Sequence, residues 1–210
     1  MGLRTNLALA ERSGRICRIG ADGAMARGAP PAGAGTIHST SSLCWSTPFR
    51  VEKKRRYRLA IVVTRPWLDG TIPATPEGFG IERMPWSVRY GAVLTRRSLM
   101  SRWFQPVLRI VRPNGAAHLQ ALEMRCACQA GAMPGGEPGR GVYTADFTAE
   151  ASGELSFFVN NSVIGGGIGL PLGLTDWFYN NNRGEAELRL EEIGSGPDRM
   201  LPDPLSAPPP

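Results

Sequence analysis

"GEAELRLEE", Gly184 to Glu192, decides the fold class. Ala186, Leu188 and Leu190 alternate with Glu187, Arg189 and Glu191. A period of two puts the apolar set on one face of a strand and the charged set on the other. One buried and one wetted face marks an antiparallel sheet. "VYTADFTA" (142–149) repeats the pattern, with Tyr143, Ala145 and Phe147 set against Thr144, Asp146 and Thr148. "GELSFFVN" (153–160) follows after a short Gly-containing turn. Further upstream, "RLAIVVT" (58–64) is β-branched and apolar, and "WLDGTI" carries Asp69-Gly70 as a hairpin-type turn. "SVRYGAVL" (87–94) and "FQPVLRIV" (104–111) read as strands, the second ending at the turn "RPNG". "HLQALEMRCAC" (118–128) fits neither period cleanly and is read as a strand from its neighbours. Many short strands, frequent turns and little helix predict an all-β fold, an antiparallel sandwich of jelly-roll type.

Both ends differ from this middle. Residues 1–51 show no sustained period and contain "ADGAMARGAPPAGAGTIHSTSS", too poor in large apolar groups to build a core. They are expected to form a disordered or weakly structured basic arm. Residues 194–210 are Pro-rich and expected to be disordered. The sandwich is expected over 52–193, long enough to bury roughly two thirds of its unfolded surface.

Charge is unevenly spread along the chain. The net +6 conceals 11 basic against 3 acidic residues in 1–58, and 13 against 15 in 59–210. "KKRRYR" (53–58) concentrates the basic character, and a run of this kind is most often a solvated segment ahead of a domain. The domain itself is slightly acidic and carries no RNA-binding signature, so nucleic acid is not an expected partner. No apolar run has the roughly 20 residues of a membrane helix, and the first residues carry no apolar run typical of a signal peptide. Compartment and oligomeric state are left open by the sequence.

Sites for chemistry are few. Cys17 and Cys44 lie in the arm, and Cys126 and Cys128 form a C-x-C without zinc-knuckle spacing. The four do not read as a disulfide framework, and Cys126 and Cys128 read as buried free thiols packing as small hydrophobes. His38 and His118 are the two histidines, and no G-x-S-x-G, H-E-x-x-H or S-x-x-K motif accompanies them. "IGGGIGLPLGL" (164–174) lacks the Gly-Lys-Ser/Thr ending of a phosphate loop. The expectation is a non-enzyme.

Carboxamides form the remaining constellation. "FFVNN" ends at Asn160-Asn161, and "YNNNRG" holds Asn180, Asn181 and Asn182. If one end of the sandwich joins the two segments, their amides converge. Carboxamide oxygens suit Ca²⁺, a hard cation taking six to eight oxygen ligands. Asn is equally at home in turns, hydrogen-bonded to nearby backbone. The pair "SGELSFFVNN … FYNNNRGEAELRL" resembles the C-terminal part of the calcium-dependent, galactose-binding bacterial lectins of the LecA (PA-IL) type. The match covers roughly 40 residues well and the first strand with its Trp turn loosely. It implies a lectin-like domain in which Asn161, Asn181 and Asn182 hold Ca²⁺, Asn161 standing where the family has an Asp. Asp176 or Asp69 is then the candidate to restore the missing charge. The stretch around Leu68 and Asp69 matches the family's earlier carbonyl-donating turn. The galactose-contacting His/Gln loop of the family has no counterpart, and an apolar insert lengthens the connection before "LTDWFY".

The expected function is a non-catalytic ligand-binding module for carbohydrate or a glycoconjugate, assisted by Ca²⁺. Asn161, Asp176, Asn181 and Asn182 frame the metal site in this reading. Asp69 with Trp67, Trp177 and Tyr179 forms the ligand surface, the aromatics offering flat faces to a sugar ring. The alternative is a metal-free structural or protein-interaction domain of a bacterial envelope or effector protein.

Overall fold

The computed structural model describes Cys17 and residues 36–86, 88–89, 95–127, 140–163 and 177–194. Ten strands run through these residues: β1 (Thr36–Ser39), β2 (Trp45–Val51), β3 (Arg56–Asp69), β4 (Ile72–Ala74), β5 (Pro106–Val111), β6 (Ala117–Ala121), β7 (Arg125–Cys126), β8 (Gly141–Thr148), β9 (Gly153–Val159) and β10 (Asn182–Ile193). A 3-10 turn at Ile81–Arg83 and a helical turn, α1 (Trp177–Asn180), are among the elements that accompany them.

The strands form two antiparallel sheets. One runs β1-β10-β3-β8-β7, with β4 paired to β3, and the other runs β2-β9-β5-β6. Setting aside the short β4 and β7, the eight other strands taken in chain order lie 1-8-3-6 in the first sheet and 2-7-4-5 in the second. Alternation explains how the sheets meet. Leu59, Ile61 and Val63 of β3, Tyr143, Ala145 and Phe147 of β8, and Ala186 and Leu188 of β10 turn inward. They meet Leu108 and Ile110 of β5 and Leu155, Phe157 and Val159 of β9 in one core. The arrangement is sandwich-like, each sheet covering the other's apolar face. The second sheet is covered on its other side too. Val107, Arg109, Ser156 and Phe158 are buried although they alternate with the core residues.

Several expectations change. The folded unit starts before residue 52, because β1 pairs with β10 and β2 with β9. The segment is short of apolar residues, but Trp45 supplies a large one. Its ring is buried, and its indole N–H donates to the Ser39 carbonyl at 2.7 Å. His38, expected in a disordered arm, stacks on Trp45 with ring centroids 5.4 Å apart. The cysteines do build a framework: Cys17 and Cys44 form a disulfide, and Cys126, expected as a free thiol, is disulfide-bonded too. In "SVRYGAVL" the described residues Val88 and Arg89 belong to a helical turn, both N–H groups donating to the Pro85 carbonyl. Pro85 fits the start of such a turn, where its missing N–H costs nothing. The stretch 118–128 is broken into β6 and β7, on different sheets. Residues 195–210 of the expected tail, the glycine-rich loop 164–174 and Asp176 lie outside the described residues.

Candidate functional site

The carboxamide cluster stands where three strand ends meet. β3 finishes at Asp69, opposite Asn182 at the start of β10. A tight turn at Gly70-Thr71 returns the chain into β4, as the Asp-Gly pair predicted. Gly70 takes φ 61°, a left-handed conformation that glycine adopts without strain. Asn161 arrives from the end of β9 in the other sheet. The site therefore bridges the two sheets.

At its centre is the Asn161 side chain. Its amide nitrogen donates to Asn182 Oδ1 at 3.1 Å and to the Phe178 carbonyl at 3.2 Å. Asp69 Oδ1 lies 3.5 Å from the same nitrogen, at the edge of hydrogen-bonding distance. The Asn161 oxygen accepts the Ser162 N–H at 2.7 Å. Asn182 donates in turn to the Thr40 carbonyl at 3.0 Å. Asp69, Asn161 and Asn182 are all buried. Asn181 is exposed and contributes through its backbone, its carbonyl accepting the Gly70 N–H at 3.3 Å.

Asp69 is the electrostatic focus. Burial pushes its pKa from 3.8 up to about 6, and the Asn161 amide only partly offsets this. No Lys, Arg or His among the described residues forms an ion pair with it. It is a buried carboxyl faced by carboxamides. No group of three His, Cys, Asp or Glu side chains gathers here or anywhere else among the described residues.

The expected residues separate accordingly. Asn161, Asn182 and Asp69 come together as side chains, with Asn181 beside them. Asn160 and Asn180 do not join. Asn180 is exposed. Asn160 turns the opposite way, accepting the Ser98 N–H at 2.8 Å and donating to the carbonyls of Ser98, Ser101 and Arg102 at 2.9–3.1 Å. Asn181-Asn182-Arg183-Gly184 is also no simple turn. β10 already begins at Asn182, and its register slips between Arg183 and Glu185 in a bulge. Gly184 there has φ 125°, and a Cβ would lie 2.5 Å from Trp67 Cδ1.

The aromatic sugar platform is corrected by burial. Trp67 packs edge-on against Trp45 and Phe104, with centroids 5.8 and 6.1 Å apart, and is closed off from solvent. Tyr179 is buried, its hydroxyl donating to the Val159 carbonyl and accepting from Arg97 Nη1. Neither ring has a face to offer. Both close the protein interior, a common fate of large aromatics. The Trp177 side chain lies outside the described residues.

Sequence reasoning missed Arg97 and Thr40. Arg97 is buried, lies 3.7 Å over the Phe158 ring and donates to the Leu43 carbonyl. Its Nη2 reaches the sulfurs of Cys44 and Cys17 at 3.4 and 3.8 Å. Its backbone N–H donates to the Asn161 carbonyl at 3.1 Å. "TRRSL" carries no periodic signal marking one arginine for burial. The chain matches no protein-family model, no curated protein and no solved structure, so the site stands on its own geometry.

Proposed function

We propose that the chain is a non-catalytic ligand-binding module of jelly-roll, lectin-like type, whose Asp69–Asn161–Asn182 cluster takes Ca²⁺ and, through it, a carbohydrate. The strand orders 1-8-3-6 and 2-7-4-5 support the architecture, being those of two interlocked Greek keys. The observation that carries the cation is Asp69, a buried carboxyl whose side-chain partner among the described residues is the Asn161 amide and no cation. A buried charge is costly unless it is paired or coordinates a metal.

Asp69, Asn161, Asn182 and the Phe178 carbonyl are the groups that would hold the ion. The Asn161 oxygen and nitrogen are assigned by their hydrogen bonds, and the opposite assignment turns a fourth oxygen toward the other three. It gives up the Ser162 N–H bond, worth about 1 kcal/mol. Four protein oxygens leave two or more positions of a Ca²⁺ shell for water or sugar hydroxyls. A single carboxylate makes the site weak, with Kd on the order of 10⁻⁴–10⁻³ M, the range of extracellular modules. Disulfides at Cys44 and Cys126 suit the same oxidising setting.

One observation favours a metal-free structural domain instead: the carboxamides already satisfy each other and nearby carbonyls. Calorimetric titration of the full chain with Ca²⁺, then with a panel of monosaccharides, separates the two. Heat of Ca²⁺ binding that vanishes in Asp69→Asn is expected. Absence of heat at millimolar Ca²⁺ removes the cation and leaves the structural reading. Ca²⁺ binding without sugar binding removes the carbohydrate.

A further inference from the structure

Five large apolar side chains are exposed among the described residues: Ile81, Trp86, Leu99, Met100 and Val142. Four of them fall within residues 79–103. Ile81, Leu99 and Met100 (37%, 52% and 90% exposed) line one open cavity of about 430 Å³, between the Phe79–Ile81 segment and the Arg96–Trp103 loop. Trp86, 78% exposed, follows in the turn after Ile81–Arg83. Scattered surface apolars need no explanation, but a concentrated set marks an interaction site.

The exposed loop is held in place. Asn160, itself buried, grips the loop at Ser98, Ser101 and Arg102 through four hydrogen bonds. Arg96 Nη2 donates to the Leu99 carbonyl at 2.9 Å, and the Ser98 and Ser101 hydroxyls bond each other at 3.0 Å. An antiparallel bridge pairs Phe79 with Trp103 and ties the two walls of the cavity together. Phe104, next in the chain, takes φ 63°, an uncommon conformation for a bulky residue. Leu99 and Met100 thus project from a braced loop.

Charge identifies the partner. Residues 79–103 hold five arginines, of which Arg97 is buried and four remain for the surface, against one acid, Glu82. The rest of 59–210 holds 8 basic and 14 acidic residues. Arg83 lies 5.4 Å over the Phe79 ring and Arg96 5.1 Å over the Trp103 ring, while Arg102 is exposed at the cavity wall. Guanidinium groups lying along apolar surface, beside exposed Leu99, Met100 and Ile81, match a layer with anionic headgroups over hydrocarbon.

We propose that the face built by Phe79–Arg83 and the Arg96–Trp103 loop is a peripheral docking surface for an anionic lipid membrane, with Leu99 and Met100 entering the interface and Arg83, Arg96 and Arg102 meeting headgroups. This site is separate from the Asp69 cluster and does not depend on Ca²⁺.

The test is cosedimentation of the full chain, in chelator, with phosphatidylcholine vesicles with and without about a third phosphatidylglycerol. Binding to the anionic vesicles, weakened by salt and absent on neutral ones, is expected. Leu99→Ser with Met100→Ser should weaken it about tenfold or more. Arg102→Gln should weaken it about fivefold. Both variants alter exposed side chains, so their melting curves should match wild type. The basic run at 53–58 is controlled by Lys53→Gln with Lys54→Gln, which should leave most binding intact. No binding to anionic vesicles would overturn the proposal. So would undiminished binding by the Leu99/Met100 variant, or equal binding to neutral vesicles. If the Leu99/Met100 variant instead converts a dimer to a monomer, a second copy is the partner and the membrane is not.

Discussion

Replacing Asp69 by Asn should stabilise the calcium-free protein near neutral pH. The carboxyl has a pKa of about 6 in the folded state against 3.8 as the ordinary value. A raised folded pKa means the folded state favours the protonated form. The group's contribution is therefore fully present below about pH 4 and lost as pH rises through about 6. A gap of about two units is worth about 3 kcal/mol at about 1.4 kcal/mol per unit. Asn is nearly the same shape, keeps an oxygen for the Asn161 amide and carries no charge to bury. With a urea m-value of about 2 kcal/mol/M, the variant's midpoint should lie about 1–2 M above wild type at neutral pH in chelator. Near pH 5 the gain should fall to roughly half, and in strong acid it should disappear. Calcium should narrow the gap to about 1 kcal/mol, with the variant still ahead. At about 10 mM Ca²⁺ and a Kd of about 0.3 mM, wild type gains about 2 kcal/mol by mass action and the variant little. A variant less stable than wild type in chelator at neutral pH would refute the reasoning, because Asp69 would then be stabilising as an anion.

Gly184→Ala should cost about 2–4 kcal/mol, since its Cβ would meet Trp67 Cδ1 at 2.5 Å with φ at 125°; a melting point within about 2 °C of wild type would show that the bulge relaxes freely. Opening the Cys17–Cys44 disulfide, which spans 27 residues, by Cys17→Ser should cost about 3–4 kcal/mol in urea titrations. A loss below about 1 kcal/mol would mean the disulfide hardly constrains the unfolded chain. Asn160→Ala should lower stability by about 2–4 kcal/mol, because three carbonyls lose a donor and Ser98 N–H loses an acceptor. It should also open the 98–102 loop to trypsin at Arg102, and resistance equal to wild type would show that the loop does not need the clasp.

Much of the fold was legible because side-chain alternation is a local signal. β8 and β10 show it plainly, and their inward residues are those expected. β1 and β2 were not legible for equally physical reasons. β2 reads "WSTPFRV", and Pro48 looks like a strand breaker. Yet β2 is an edge strand, paired only with β9, where a missing N–H is tolerated. The cysteine pairing was hidden because Cys17 and Cys44 meet through tertiary structure alone. In the site, the convergence of Asn161 with Asn182 was readable from strand ends facing one another. The divergence of Asn160 from Asn161 was not, since it depends on how the chain leaves β9. Nor could the sequence reveal that Trp67 and Tyr179 are interior, because an aromatic near a turn carries no mark of which side it faces.

β9 has a further consequence. It is flanked by β2 and β5, and Leu155 to Val159 are buried whichever way the side chains point. Its amides that bond β5 should exchange with deuterium only when the whole molecule unfolds, and those that bond β2 once that edge strand detaches. Asn160 and Asn161 follow it directly. The exposed loop and the carboxyl cluster are thus mounted on the segment that opens last, and both should persist in partially opened states that have already shed the edge strands.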